Sequence, residues 1–477
     1  MFALEPIHDW IDAPGELISW NPSPASSAKA NQAPVSDVPA SYQQAQHLRA
    51  YREHAARNTE MARLTIPAWN IAGRCDLRAM TYVINAYLRR HDTYRSRFEF
   101  VDDDRVVRRT IANPKDIKFV ATEHGEKTVD EWREHILATP GPLQWDCFRF
   151  GVIQRADHFT VYMCVDHVHV DAMFMGLAFV EIHMMYAALV GGGAPIPLPP
   201  AGSYDDYCVR QREFTSALTL DSPQVRKWIN FAEGNNGTLP QFPLPLGDPS
   251  VPCEGDLVTV QLMDEEESNR FESACNDAGI RFIGGVFAAA ALAEHQLTGA
   301  DTYHVITPTS TRTTHAEMMT TGWFTGIVPI AVPVTATSFT ETARAAQTSF
   351  DSGLELAHVP FDRVLELASE CGIRKPDPGV PMISYLDATL APLSPAVVAE
   401  WNGLNGKIYS ELGAAHQIGK WVNRFGNGTS VTLAFPNNPI ARESVARYLE
   451  AMKSVFVRVV VGRGEMAPVA DLVDLDL

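Results

Sequence analysis

The sequence predicts a mixed α/β protein folded as two lobes, and three observations carry that expectation. At 477 residues the chain is long enough for about two or three domains' worth of core. A strand, a loop and a long apolar helix follow one another over residues 159–190, and a similar strand, loop and helix recur over 430–455. Between them, Gly191-Gly192-Gly193 and two proline-rich stretches, 194–200 and 240–252, mark a crossover. An N-terminal lobe over 1–190, a linker region over 191–255 and a C-terminal lobe over 256–477 are expected.

The elements follow from local pattern. Residues 20–40, rich in Pro, Ser and Ala, read as an irregular arm. Tyr42, Ala45, Leu48 and Tyr51 recur at helical spacing over 41–56, and Met80, Val83, Ile84, Tyr87 and Leu88 share one face of a helix over 76–90. Strands are expected at 97–101, 105–108 and 159–165, the last a core strand. Residues 173–190 are apolar on most sides and predict a buried helix. A helical piece spans 205–233. In the second lobe a strand at 257–262 precedes helices at 265–278 and 284–297. Gly426-Asn427-Gly428 joins strands 421–424 and 430–435 as a hairpin, and a helix follows over 442–455.

Composition narrows the function. A formal net charge of −18 argues against a nucleic-acid partner, which needs a basic face. Seven scattered cysteines without a C-x-x-C pair argue against a zinc knuckle or a disulfide framework, and fit reducing cytoplasm. The start, Met1-Phe2-Ala3-Leu4-Glu5-Pro6, lacks signal-peptide chemistry. The run Val286–Ala293 is too short to span a bilayer. A soluble protein that meets membrane only peripherally, at the inner face of the plasma membrane, is expected.

The segment most able to do chemistry is Asp166-His167-Val168-His169-Val170-Asp171-Ala172, where strand meets helix. With 15 histidines, about one His-x-x-x-Asp pair arises by chance, so the pair alone proves little. A neutral imidazole, titrating near ~6.5, suits removal of a hydroxyl proton. His169 competes with His167 for that task, being two residues away on extended chain. His-x-His can also chelate zinc, but no further ligand cluster accompanies it, so no metal is expected. Asp171 can orient His167 as in a triad, cap the following helix, or hold the loop.

Further segments, in order, resemble the signature motifs of the condensation-domain and chloramphenicol-acetyltransferase-like (CAT-like) acyltransferase superfamily. They are Ser41-Tyr42-Gln43-Gln44-Ala45-Gln46-His47-Leu48, Arg90-His91-Asp92-Thr93-Tyr94-Arg95-Ser96-Arg97-Phe98 and the His167 segment itself. Tyr204-Asp205-Asp206-Tyr207, Thr321-Gly322-Trp323-Phe324-Thr325-Gly326-Ile327-Val328-Pro329 and His358-Val359-Pro360-Phe361 follow. The whole chain is similar to mycobacterial polyketide-associated acyltransferases that acylate trehalose. Asp166 departs from the pattern, standing where the superfamily carries its first histidine, and Ala172 stands where it carries glycine.

The resemblance implies two CAT-like α/β sandwich lobes arranged as a V, with a tunnel between them and His167 in it. It implies transfer of a long-chain acyl group from acyl-CoA or a carrier-bound thioester to a hydroxyl of trehalose or a trehalose-derived glycolipid precursor, in cell-envelope lipid synthesis. His167 is the implied general base. Asp171 is implied to pair with an arginine, for which Arg312 is the candidate. Asp166, His169, Trp323 and Thr325 are candidates for the substrate wall. No cofactor is expected beyond the thioester substrate. The chain is expected to be a monomer, with a polyketide synthase or a lipid-export protein as a possible partner. Asp166 keeps one alternative open, a catalytically degenerate module that binds such partners.

Overall fold

A computed structural model describes residues 4–102, 105–335, 338–376, 381–388 and 394–462. Described residues of Met1–Ala217, Ser310–Thr325 and Leu390–Gly413 form one compact unit, and those of Leu218–Thr309, Gly326–Thr389 and Ala414–Leu477 form the other. Two segments of the C-terminal half therefore fold with the first unit, where the sequence suggests contiguous lobes. The reason is long-range pairing without a local signature. The strand Lys407–Ser410, for example, lies between Leu4–Pro6 and Leu64–Ala72.

The first unit holds a seven-stranded sheet in the order Leu4–Pro6, Lys407–Ser410, Leu64–Ala72, His158–Asp166, Phe148–Gln154, Gly15–Pro22, Phe119–Lys127. The strand His158–Asp166 is central and antiparallel to both neighbours. A strand covered on both faces reads as a nearly unbroken apolar run, as Phe159–Val165 does. Tyr162 and Cys164 pack with Trp132 and Ile136 on one side, while Phe159 meets Tyr186 of the helix Met173–Val190.

That helix is long and apolar enough to cross a membrane by length and composition. Glu181 at its middle is buried, however, and binds Arg90 and His91 at 3.1 Å each. A paired carboxylate inside the unit marks a core helix.

Residues 20–40 are more regular than expected. They include the end of the strand Gly15–Pro22 and the helix Pro24–Asn31. Ser23 accepts a hydrogen bond from Ser26 N and Pro24 occupies the first turn, so a Ser-Pro pair that resembles a loop is a helix start. The helical piece at 205–233 is two helices, Tyr204–Ser216 and Pro223–Glu233. Residues 217–222 separate them, and Pro223 opens the second in its first turn.

The second unit carries a six-stranded sheet in the order Thr325–Pro333, Thr302–Ser310, Met382–Asp387, Gly419–Phe425, Gly428–Pro436, Gly255–Asp264. The predicted hairpin pairs Gly419–Phe425 with Gly428–Pro436. The helix Glu265–Asp277 starts on a capping box from Asp264 and Glu267. The helix Phe282–Thr298 fills the core, with Val286–Ala293 buried. Gly285 permits its close approach, because a Cβ there would lie 2.5 Å from Cys275 Sγ.

Candidate active site

The strand ends at Asp166, a single 3-10 turn holds His167–His169, and Val170-Asp171-Ala172 lead into the long helix. Asp166 starts the turn by accepting from Val168 N at 3.0 Å, and His167 N donates to Arg63 O at 2.8 Å. The loop is thus fastened before its side chains are considered.

Asp171 and Arg312 come together, 141 residues apart, as a buried bidentate pair. Arg312 Nη1 donates to Asp171 Oδ2 at 2.7 Å and Nη2 to Oδ1 at 3.2 Å. Asp171 also accepts from Phe324 N at 2.9 Å and from Met173 N at 3.1 Å. Arg312 reaches Glu317 O and Thr320 O and lies 4.4 Å from the Phe324 ring centre. With four donors on its two oxygens, Asp171 is committed to Arg312, the Phe324 segment and the first turn of the helix. It makes no hydrogen bond to His167, so the triad arrangement is absent from the described contacts. The cap and the loop anchor are one arrangement.

His167 is half-buried and packs against Trp323, ring centres 4.2 Å apart. Its Nδ1 is buried without a partner from another residue, and its own main chain raises its basicity. That leaves Nε2 to meet an incoming group. Burial, and then the neighbouring His47, lower its pKa to about 4, so the ring is a neutral acceptor at ordinary pH.

The other candidates separate. Trp323 and Thr325 are half-buried; Trp323 rests on His167, whereas Thr325 O accepts from Gln43 Nε2 at 2.5 Å. His169 is fully buried, bonded through Nδ1 to Thr93 Oγ1 at 3.0 Å and packed on Tyr94 and Phe148. It cannot serve as a substrate wall or as a competing base. Asp166 is also fully buried, between His47 Nε2 at 2.8 Å and Arg63 Nη1 at 2.9 Å, and supports the loop from behind. Among the described residues no three His, Cys, Asp or Glu side chains are grouped to hold a metal. A surface cavity of about 660 Å³ lies at the far end of the central strand, lined by Glu16, Arg74, Arg155 and His158, away from the loop.

The scattered motifs are one another's bonding partners. His91 Nε2 faces Glu181 while its Nδ1 accepts from Thr321 N at 3.2 Å. Asp92 accepts from Ser203 Oγ and Tyr204 N, Tyr204 Oη donates to Ser41 Oγ, and Tyr207 packs on Phe324. Four of the six therefore gather around the loop formed by a fifth. The sixth lies in the second unit, where Val359 and Phe361 join its core. His47, Arg63 and Glu411 were not singled out from the sequence. His47 stands inside the first motif, whereas Arg63 and Glu411 carry no local signal.

The family model for the condensation domain matches residues 65–374. The acyltransferase PapA3 of Mycobacterium tuberculosis is 55% identical over 453 residues, 95% of this chain and 96% of the relative. The trehalose-2-sulfate acyltransferase PapA2 of the same organism is 58% identical over 459 residues, 96% and 97%. A solved structure of the PapA2 acyl transferase superposes with a TM-score of 0.93, covering 96% of this chain and all of that one.

Proposed function

The chain belongs to the condensation-domain family, and from that premise we propose that it is an O-acyltransferase acting on trehalose or a sulfated trehalose derivative. The acyl donor is a long-chain acyl thioester, either acyl-CoA or carrier-bound. The observation that carries this reading is the state of His167, a neutral, partly open imidazole on a loop locked by Asp171–Arg312. Near full-length similarity to a protein named for acylating trehalose 2-sulfate supports the choice of acceptor.

In the proposed reaction, His167 Nε2 takes the proton of a sugar hydroxyl as that oxygen attacks the thioester carbonyl. The new C–O bond forms, the C–S bond breaks, and the proton passes from His167 to the departing thiolate. Asp171 does not share the proton; it keeps the loop in place, so that base and hydroxyl meet at a fixed distance. Trp323 forms the wall against which His167 rests. We further place the reaction at the cytoplasmic side of the membrane, where an apolar product would pass to a lipid-export protein or meet a polyketide synthase.

The test is incubation with palmitoyl-CoA and, separately, trehalose and trehalose 2-sulfate, with products read by mass spectrometry. A singly or doubly acylated sugar from wild type, absent with His167→Ala, is expected. Equal product from both proteins would remove the mechanism, and no product from either sugar would remove the acceptor class.

A further inference from the structure

The proposed reaction gives His47 no step of its own. It projects from the helix Tyr42–Ala56 and is 6% exposed, with Nε2 on Asp166 Oδ1 at 2.8 Å. Asp166 is gripped from its other oxygen by Arg63, whose guanidinium also donates to Pro140 O and Thr139 O. The Arg63 amide donates to Glu411 Oε1 at 2.6 Å. A series of contacts, half-buried at Glu411 and Arg63 and buried at Asp166 and His47, thus ends beside the site. There the His47 ring meets Trp323 edge-on at 5.5 Å and lies 6.3 Å from His167.

A buried carboxylate needs donors. Burial alone would raise the Asp166 pKa, but His47 and Arg63 hold it below the ordinary carboxylate range. The carboxylate comes from the end of the strand His158–Asp166 and the imidazole from the helix Tyr42–Ala56. The His47 ring adds to burial in lowering the basicity of its neighbour His167, so the two rings are a pair electrostatically as well as in space. The charged or titratable groups facing this pair are Asp166, Arg63, Glu411, His169 and Asp171, the last committed to Arg312.

We propose that His47 is a positioning residue for His167: bound to Asp166, it holds the loop and the Trp323 ring around the base. The proposal rests on the reading of His167 as the base.

The test is a histidine Cε1 NMR titration of the full-length protein, wild type and His47→Gln, with His167→Ala to assign the base. Glutamine keeps an N–H for Asp166 but not the ring. The His167 midpoint is expected to rise by about half a pH unit or more. With palmitoyl-CoA and the sugar acceptor, kcat should fall about tenfold to a hundredfold, with KM for the thioester within about twofold. An unchanged midpoint, or an unchanged kcat in active enzyme, overturns the proposal. Should His47→Gln fail to fold, Asp166→Asn, which weakens the hold on His47, is read by the same titration. Failure of the functional reading is distinguishable: a shifted midpoint in a protein that acylates neither sugar leaves the His47 coupling standing, whereas a fixed midpoint in an active enzyme does the reverse.

Discussion

Each unit has a strand paired antiparallel on both sides that runs into a long helix, and only one of the two connections is equipped for chemistry. In the first unit the strand His158–Asp166 lies between Leu64–Ala72 and Phe148–Gln154, antiparallel to both. In the second, Gly428–Pro436 lies in the same way between Gly255–Asp264 and Gly419–Phe425. The second connection is only Asn437-Asn438, and Asn438 Oδ1 accepts from Ala441 N at 2.9 Å to start the helix Pro439–Val460. The first is His167–Ala172, long enough for an extra turn that carries an imidazole partly into the open. A longer connection leaves more backbone to secure, and the buried contacts of Asp166 and Asp171 secure it.

The comparison predicts unequal responses. Removing His167 should have the largest effect: His167→Ala is expected to lower kcat by about 10²–10⁴-fold with little change in melting temperature, and a rate within twofold of wild type would break the contrast. Asp171→Ala leaves Arg312 buried and unpaired, for an expected loss of about 3–5 kcal/mol in urea unfolding. A loss under about 1 kcal/mol would mean that the loop is held elsewhere.

Acid should weaken the first unit through its histidines. His167 and His169 both have pKa values lowered from 6.5 to about 4, chiefly by burial. Between those values the unfolded chain binds more protons, so stability falls as pH drops through that window and this contribution levels off below it. Thermal melts from pH 7 to 4.5 check the direction, and a His169→Phe variant should flatten the slope. The smallest effect belongs to the second connection: Asn438→Ala should cost about 1 kcal/mol as a lost helix cap and leave kcat unchanged.

The same contrast explains what was legible in the sequence. Helices at 41–56, 76–90 and 173–190, the central strand and the Gly426-Asn427 hairpin all carry local periodicity or turn chemistry, and the structure contains them. The strands Lys407–Ser410 and Leu4–Pro6 do not, being short and made by partners at opposite ends of the chain. At the site, His167, Asp171 and Arg312 could be named through motif order. The burial of His169 could not, because strict strand geometry places it on the same side as His167, whereas the 3-10 turn rotates it inward against Tyr94 and Phe148. Arg63 and Glu411 act through buried contacts that leave no pattern along the chain.

The most direct test of the central claim is the pH dependence of kcat/KM for acyl transfer to the sugar, from pH 4 to 8. A base whose pKa is lowered to about 4 should keep the rate level down to about pH 5, with His167→Ala near background throughout. An acid limb near the ordinary histidine value of about 6.5, or a His167→Ala profile that overlays wild type, would contradict it.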